Sequence, residues 1–273
     1  MITRREKAVN YAVLWLFAAL SVFPLAGVAV SALSGGSTGS ATFSWPDSLH
    51  WSNFAEAWSR GHFSHYLLAS AVVAVSTVLL SSVLGILAGF AFAAFDFPGR
   101  SALFYLMLIG LMVPEEAFVI PLYFDLRNDG LTDTYAALIL PQVAQSLGFA
   151  VFWLRNAFRA VPRSVVEAAR IDGAGDWRVL WRILVPTTRP ALTTLAMLVF
   201  MWTWNAFLIP LVMVQSEDLR TAPLGLAFFQ GAHTTQFSLL AAAAIIVALP
   251  VVLLYLFLQR HFINGMLAGA VKE

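Results

Sequence analysis

The chain has 273 residues, of which 60% are hydrophobic and only 11% charged, and its mean hydropathy is +0.79. A soluble domain carries roughly 25% charged residues, so this composition excludes a soluble globular protein and predicts a polytopic membrane protein. The absence of cysteine excludes disulfides, thiolate catalysis and cysteine metal sites. The net charge of +1, with no basic stripe, gives no support for nucleic-acid binding.

Six windows of about 20 apolar residues predict six membrane-spanning helices and an all-α fold. The windows lie at approximately 9–31, 66–95, 101–124, 135–158, 190–214 and 237–259. The first follows a basic amino terminus, but its roughly 22 residues exceed the 7–15 of a signal-peptide core, so it is predicted to be a retained helix. One loop, at 32–65, is long, and all the others are too short to hold a separate domain. Residues 1–273 are therefore predicted to form a single transmembrane domain.

The long loop is 32–65, between the first and second spans. It opens with glycine and serine over 34–40, a composition typical of a flexible linker. Trp45, Trp51 and Trp58 suit the outer membrane interface. His62 and His65 are three residues apart but have no carboxylate or cysteine beside them, so no metal site is predicted.

Basic residues fix the orientation. With the amino terminus inside, the outer segments hold only Arg60, Arg127 and Arg220. The other thirteen lie on the inner side: Arg4, Arg5, Lys7, Arg100, Arg155, Arg159, Arg163, Arg170, Arg178, Arg182, Arg189, Arg260 and Lys272. Cytoplasmic loops carry the excess of Lys and Arg, so both termini and the loop over 159–189 are predicted to be cytoplasmic.

The 159–189 loop is polar but structured. Ser164 and Glu167 have the spacing of a capping box, and Gly173 supplies a left-handed helix stop. A second helix is predicted to start at a capping Asp176 and to end at Pro186, with one apolar stripe formed by Trp177, Leu180, Trp181 and Leu184. Two short helices with exposed charge favour a docking surface for a partner. The alternative is a connector that packs back on the membrane domain.

The same loop resembles the E-A-A motif of permease subunits of ATP-binding-cassette importers. The matching residues at the family's spacing are Glu167, Ala168, Ala169, Gly173, Ile183 and Pro186. Val185 stands where the family usually has leucine. The Ile171–Ala174 segment, the Trp204–Asn205 pair and the tail from Gly269 to Lys272 resemble the carbohydrate branch, although the chain ends in Glu273 rather than glycine.

The resemblance implies a type I importer permease in a bacterial or archaeal cytoplasmic membrane. Its loop would be the coupling helix that docks on a cytoplasmic ATPase dimer, through Glu167, Ala168, Ala169, Asp172, Gly173, Ile183 and Pro186. The other implied partners are a second related permease, or a second copy, and an extracytoplasmic solute-binding protein. The lysines, Lys7 and Lys272, lie outside any G-K-[ST] context, so the chain has no P-loop. We therefore expect no catalytic residue and no cofactor in this chain, with ATP bound by the partner.

A polar layer is predicted inside the membrane, from the midplane outward. It consists of Glu115, Glu116, Gln142, Gln145, Trp202 and Asn205. Counting along continuous helices puts Glu115 about 20 Å from the cytoplasmic face and Asn205 about 22 Å from Pro190. Intramembrane carboxylates are functional candidates, and indole with amide groups suits a polyhydroxylated solute. The alternatives are interhelical hydrogen bonds for the amides and exposure at the outer mouth for the glutamates.

Two other functions are compatible with these residues alone. An ion-coupled secondary carrier could use Glu115 or Glu116 as its proton site, and a membrane scaffold could anchor a partner without flux. The loop motif favours the importer.

Gly85 and Gly89 have G-x-x-x-G spacing, which permits close helix approach either within the chain or against a second permease.

Overall fold

The computed structural model describes residues 4–35, 48–229 and 236–270. These residues form helices joined by turns, with no strand among them, which confirms the all-α fold. Most of the glycine-serine stretch, Trp45 and Lys272 lie outside the described residues. The α-helices are α1 Arg4–Ala32, α2 Ser52–Arg60, α3 Phe63–Ala94, α4 Arg100–Gly110, α5 Glu115–Asn128, α6 Tyr135–Ala160, α7 Arg163–Ile171, α8 Asp176–Val179, α9 Val185–Thr187, α10 Arg189–Trp204, α11 Leu208–Met213, α12 Ala222–Gly225 and α13 Phe237–Ala270.

Four of these helices are long and apolar enough to cross a membrane: α1, α3, α6 and, over Phe237–Gln259, α13. Two bent pairs raise the number to six if each pair is one span. The first pair is α4 with α5, at 97°, and the second is Asp176–Thr187 with α10, at 77°. The predicted windows fall on helices, but those at 101–124 and 190–214 each cover two helices rather than one.

The depth assigned to Glu115 assumed one continuous helix over 101–124, and that assumption is wrong. α4 ends at Gly110, and α5 starts at Glu115 after Pro114, which is extended at φ −68° and ψ 143°. Proline disfavours a helical conformation in the residue before it, so the chain turns over 111–114 and starts a new helix. A constant rise from Ala102 therefore does not locate Glu115.

The predicted span over 190–214 is also interrupted. α10 ends at Trp204, Asn205 follows as its C-cap, and α11 begins only at Leu208. Pro210 cannot donate a backbone hydrogen bond, and in a continuous helix its ring would clash with the carbonyl group of Ala206. The break therefore leaves Asn205 at a helix end rather than within a helix.

Chain contacts define two compact units, the first comprising Met1–Ser64 and Gly225–Pro250. In this unit the Asn53 side chain donates to the carbonyl groups of Ala32 at 2.9 Å and Ser34 at 3.0 Å, which ties the start of α2 to the end of α1. The buried rings of Phe63 and Phe229 stack with centroids 6.4 Å apart. α1 itself is exposed along almost its whole length.

The second unit comprises His65–Leu224 and Val251–Glu273, and α6 is at its centre. α6 packs against α4, α10 and α11, and it buries Ala150, Leu154 and Phe158. A Cβ atom on Gly85 would lie 2.8 Å from the Ala150 Cβ atom, and one on Gly89 would lie 3.1 Å from the Arg155 backbone nitrogen. These glycines therefore let α3 approach α6 within this chain, the first of the two predicted alternatives.

Candidate functional site

The connector between α6 and α10 starts with α7, and this helix ends at the predicted glycine stop. Gly173 has φ +79°, a left-handed conformation that L side chains rarely adopt. The Ala174 amide donates to the Ala169 carbonyl group at 2.9 Å, and the Gly173 amide donates to the Arg170 carbonyl group at 3.0 Å. These two bonds form a Schellman motif, which confirms Gly173 as the helix stop.

The predicted capping box at the start of α7 is wrong. Pro162 occupies the N-cap position, and no side chain caps the helix. Proline fixes its own φ near the helical value, so the helix begins at Arg163, two residues earlier than a capping box on Ser164 requires. Within the described residues the Glu167 carboxylate is exposed and makes no hydrogen bond or ion pair. It is therefore available to a partner.

The second half of the connector also starts differently from the prediction. Gly175, not Asp176, is the N-cap of α8. The Asp176 carboxylate instead accepts a hydrogen bond from the Arg170 guanidinium at 2.8 Å, with both side chains half exposed. An exposed ion pair contributes at most about 1 kcal/mol, so its role is to join the end of α7 to the start of α8.

The predicted apolar stripe is only partly buried. Leu180 and Leu184 are buried, but Trp177 is 67% exposed, and Val179 is buried in its place. A π-helical turn over Leu180–Leu184 widens the helix there and shifts its faces out of the 3.6-residue register. Pro186 does not end the helix as predicted, because it lies inside α9.

The outward surface of the connector mixes polar and apolar groups. Glu167, Ala168 and Asp172 are exposed, and Ile171, at 86%, is the most exposed large apolar side chain among the described residues. Ala169, Ile183 and Pro186 are half-buried at its base. The next residues along the chain line a groove of about 570 Å³: Gly175, Asp176, Trp177, Arg178, Trp181 and Arg182. Exposed apolar groups rimmed by charge are typical of a protein-docking surface.

The two glutamates of the predicted polar layer, Glu115 and Glu116, occupy the first turn of α5. Carboxylates are stabilised there by the positive end of the helix dipole. Glu116 is exposed, whereas one carboxylate oxygen of Glu115, Oε1, is enclosed and has no hydrogen-bond partner within the described residues. The two side chains therefore have different surroundings, as the 100° between neighbouring helix positions predicts.

The polar amides of α6 and α10 also differ from one another. Gln142 is buried, and its Nε2 donates to the Leu138 carbonyl group at 2.7 Å, whereas Gln145 is exposed. The exposed Asn205 donates to the Met201 carbonyl group at 2.8 Å. The amide donors of Gln142 and Asn205 thus bond to their own helix rather than across helices. Of the two glutamines, only Gln145 presents its amide outward.

A stack of three aromatic rings connects α6 to α10. Phe149 stacks on Trp153 at 5.8 Å and meets the Trp202 ring edge-on at 5.0 Å. The Trp153 Nε1 group donates to the Ala191 carbonyl group at 2.8 Å, which anchors the other end of the stack. Sequence reasoning identified Trp202 but missed Phe149 and Trp153.

This stack brings Gln145 and Asn205 to one level. Gln145 lies one turn before Phe149 on α6, and Asn205 lies three residues after Trp202 on the antiparallel α10. Both amides therefore lie one turn beyond the ring contact, on the same side of it. The sequence does contain a signal for Phe149 and Trp153, because positions 145, 149 and 153 recur at four-residue spacing. No hydrogen bond or ion pair in the described residues joins Glu115 or Glu116 to this stack.

Helices long and apolar enough to cross a membrane, with breaks after α4 and α10 and an exposed connector between α6 and α10, indicate a polytopic membrane protein. The chain matches the family of binding-protein-dependent transport system inner membrane components over residues 81–267. It is 36% identical to the diacetylchitobiose uptake system permease protein NgcG of Streptomyces coelicolor, over 99% of this chain and 89% of that protein. It is 33% identical to the trehalose transport system permease protein SugB of Mycobacterium tuberculosis, over 83% of this chain and 84% of that protein.

A solved bacterial transporter for import of the acidic polysaccharide alginate has the same fold. It aligns with a TM-score of 0.77 at 22% identity, covering 96% of this chain and 99% of that chain. The chain belongs to the binding-protein-dependent transport system inner membrane component family. It is a membrane-embedded transport component.

Proposed function

We propose that this chain is one permease subunit of an ATP-driven importer for a sugar or oligosaccharide. A second related permease completes the pore, and an extracytoplasmic solute-binding protein delivers the solute. Two ATPase subunits dock on the cytoplasmic face and bind the ATP, since this chain has no P-loop. Both termini are cytoplasmic, as the distribution of basic residues favours.

The observation that carries the proposal is the exposed connector. Its unpaired Glu167 carboxylate, the exposed Ile171 side chain and the adjacent groove form a surface that mixes charge with apolar area. The Gly173 stop sets where the chain leaves α7, and the Arg170–Asp176 ion pair joins α7 to α8. A force applied to α7 by an ATPase is then transmitted through the π-helical turn into α10.

The carbohydrate assignment rests on the solutes for which the relatives are named and on the aromatic stack. NgcG is named for diacetylchitobiose uptake, and SugB for trehalose transport. In this chain Trp202 is 48% exposed, and the exposed residues Gln145 and Asn205 lie within one turn of the ring contact on their helices. A flat ring beside amide donors and acceptors fits the faces and hydroxyl groups of a sugar ring. Gln142 and the two glutamates are secondary members of this substrate path.

The test is uptake by the purified complex in proteoliposomes. With ATP enclosed and the binding protein present, we expect accumulation of trehalose, lactose or diacetylchitobiose, unchanged by a protonophore. Accumulation that follows the proton gradient at constant ATP would instead support a secondary carrier using Glu115 or Glu116. Complex formation without flux would support a scaffold.

Glu167→Gln tests the coupling surface. Loss of a charge-assisted hydrogen bond should lower solute-stimulated ATP hydrolysis about tenfold or more. Stability should change by no more than about 0.5 kcal/mol, because the side chain is exposed and caps nothing. Ser164→Ala is the matched control, since Ser164 is exposed on the same helix and also caps nothing. Normal stimulation in Glu167→Gln would remove this residue from the coupling surface.

A further inference from the structure

A small polar pocket lies where the turn between α5 and α6 meets the segment after α11. It has a volume of about 300 Å³ and is lined by Tyr123, Arg127, Thr132, Asp133, Met213 and Gln215. That is the lower end of the range for small-molecule sites, and it equals the liquid volume of about ten water molecules. On the predicted orientation this junction faces outward, away from the connector.

The walls of the pocket are tied together through Asp133. One carboxylate oxygen, Oδ1, accepts from the Ser216 amide at 2.9 Å, the Gln215 amide at 3.0 Å and the Ser216 hydroxyl group at 2.9 Å. The Asp133 amide donates in turn to the Met213 carbonyl group at 2.9 Å. Met213, which lines the pocket, is buried. These bonds hold both segments in place before any ligand arrives, which reduces the entropy lost on binding.

Several polar groups of the pocket have no partner in the chain. Within the described residues, the polar side-chain atoms of Tyr123, Arg127 and Gln215 make no hydrogen bond or ion pair. The second carboxylate oxygen of Asp133 is likewise without a hydrogen bond there. Together they offer a guanidinium fork, an amide, a phenol and a carboxylate oxygen, which covers both donors and acceptors.

This set of groups selects the chemistry of the ligand. The formal charges of Arg127 and Asp133 cancel, so the pocket favours a neutral ligand. Planar forks such as guanidinium and amide can hydrogen-bond two neighbouring hydroxyl groups at once, and the second Asp133 oxygen can accept from one more. A single sugar ring, with hydroxyl groups on adjacent carbons and an apolar face for the Tyr123 ring, has this chemistry and fits the volume.

We propose that this pocket binds one sugar ring of the solute at the outer face, before the solute reaches the aromatic stack. The inference rests on the proposed function, because the sugar is the one the importer carries. It adds a second, spatially separate recognition site to the chain. Tyr123, Arg127 and Gln215 are the residues that contact the ligand, and Asp133 both contacts it and holds the wall.

The test is direct binding to the assembled importer in lipid nanodiscs, without nucleotide or binding protein. Trehalose, lactose and diacetylchitobiose are titrated, and saturation-transfer NMR measures the dissociation constant. For a sugar that the complex imports, Arg127→Gln should raise this constant about tenfold or abolish the signal, because a charge-assisted bond is lost. Tyr123→Phe, which removes one hydroxyl group and leaves the ring, should raise it about fivefold.

Arg60→Gln is the matched control, since Arg60 is another outer arginine and pairs with Glu56. It should leave binding unchanged. If an imported sugar gives no signal, or the same dissociation constant in Arg127→Gln, the pocket proposal is wrong while the importer stands. Loss of the signal in Trp202→Ala alone would locate binding at the stack and also overturn the pocket. If none of the three sugars is imported by the active complex, the proposed sugar function is wrong, and the pocket proposal with it.

Discussion

Asp133 shows how one residue fixes a junction that hydropathy does not reveal. It has a left-handed backbone at φ +59°, which Asp tolerates better than most residues. From there its carboxylate accepts three hydrogen bonds from Gln215 and Ser216. These hydrogen bonds lower the pKa of Asp133. The Ser216 amide is the largest cause, followed by the Gln215 amide and the Ser216 hydroxyl group.

The lowered pKa of Asp133 predicts acid sensitivity at this junction. Its stabilisation is fully present above the unfolded pKa, about 3.9, and is lost as the pH falls through the lower folded pKa. We expect hydrogen–deuterium exchange protection of the Gln215 and Ser216 amides to be constant at neutral pH and to fall below about pH 4. In Asp133→Asn the protection should be weaker and should not change over that range.

Asp129→Asn is the control for this experiment. Asp129 is exposed on the same turn and makes no side-chain hydrogen bond within the described residues. Its variant should retain the acid-dependent loss of protection. Equal pH dependence in wild type and Asp133→Asn would show that the carboxylate does not hold the junction.

At the scale of the helix, Gly173 determines where α7 ends. Alanine in the left-handed region costs about 1–2 kcal/mol, whereas asparagine tolerates this conformation. Gly173→Ala should therefore weaken the Schellman bonds and increase exchange of the Gly173 and Ala174 amides severalfold, with Gly173→Asn much closer to wild type. Equal exchange in the two variants would mean that the left-handed conformation does not hold the stop.

The contact between α3 and α6 gives a second prediction for helices. Gly85→Ala places a methyl group 2.8 Å from the Ala150 Cβ atom, so the helices must separate. Overpacking costs about 1–3 kcal/mol, which offsets or exceeds the gain of up to 1 kcal/mol from better helix propensity. Gly110→Ala is the control, because nothing lies within 4 Å of its Cβ position.

Thermal unfolding in detergent compares the two glycine variants. Gly110→Ala should be neutral or slightly stabilising, and Gly85→Ala should be less stable than Gly110→Ala by about 1–3 kcal/mol. Equal melting temperatures would mean that α3 and α6 do not pack as closely as the structure has them.

Helix existence could be predicted from this sequence far better than helix continuity. Hydropathy averages over about 20 residues, so it located the segments that became α4 with α5 and α10 with α11. It could not register the breaks, which depend on single residues such as Pro114 and Pro210. The capping box failed for a related reason, because Pro162 takes the N-cap position two residues before Ser164. Gly173 was predictable, since its role depends on local backbone conformation alone.

The parts of the site that are contiguous in sequence could be predicted, whereas the parts that depend on tertiary packing could not. The connector residues were identified because they are contiguous in sequence. The aromatic stack was found only through Trp202, because the packing of Phe149 and Trp153 depends on how α6 meets α10. The outer pocket was not predicted, since it combines residues about 80 positions apart, such as Asp133 and Gln215.

For the whole molecule, orientation is the property on which the proposals depend. Thirteen basic residues lie on one side of the predicted topology and three on the other, and the connector is on the richer side. If this assignment were inverted, the connector would face away from any cytoplasmic ATPase, and the outer pocket would face the cytoplasm. The distribution of Lys and Arg sets the direction of insertion, so we expect the connector to be cytoplasmic.

Because the chain has no cysteine, a single introduced cysteine reports its own location. Asn128→Cys and Ser164→Cys are suitable positions, since both native side chains are exposed, one at the end of α5 and one in α7. In intact spheroplasts a membrane-impermeant maleimide should label Asn128→Cys, and it should label Ser164→Cys only after permeabilisation. Uptake by each variant controls for folding. The opposite labelling pattern would contradict the cytoplasmic connector, and with it the coupling and outer-pocket proposals.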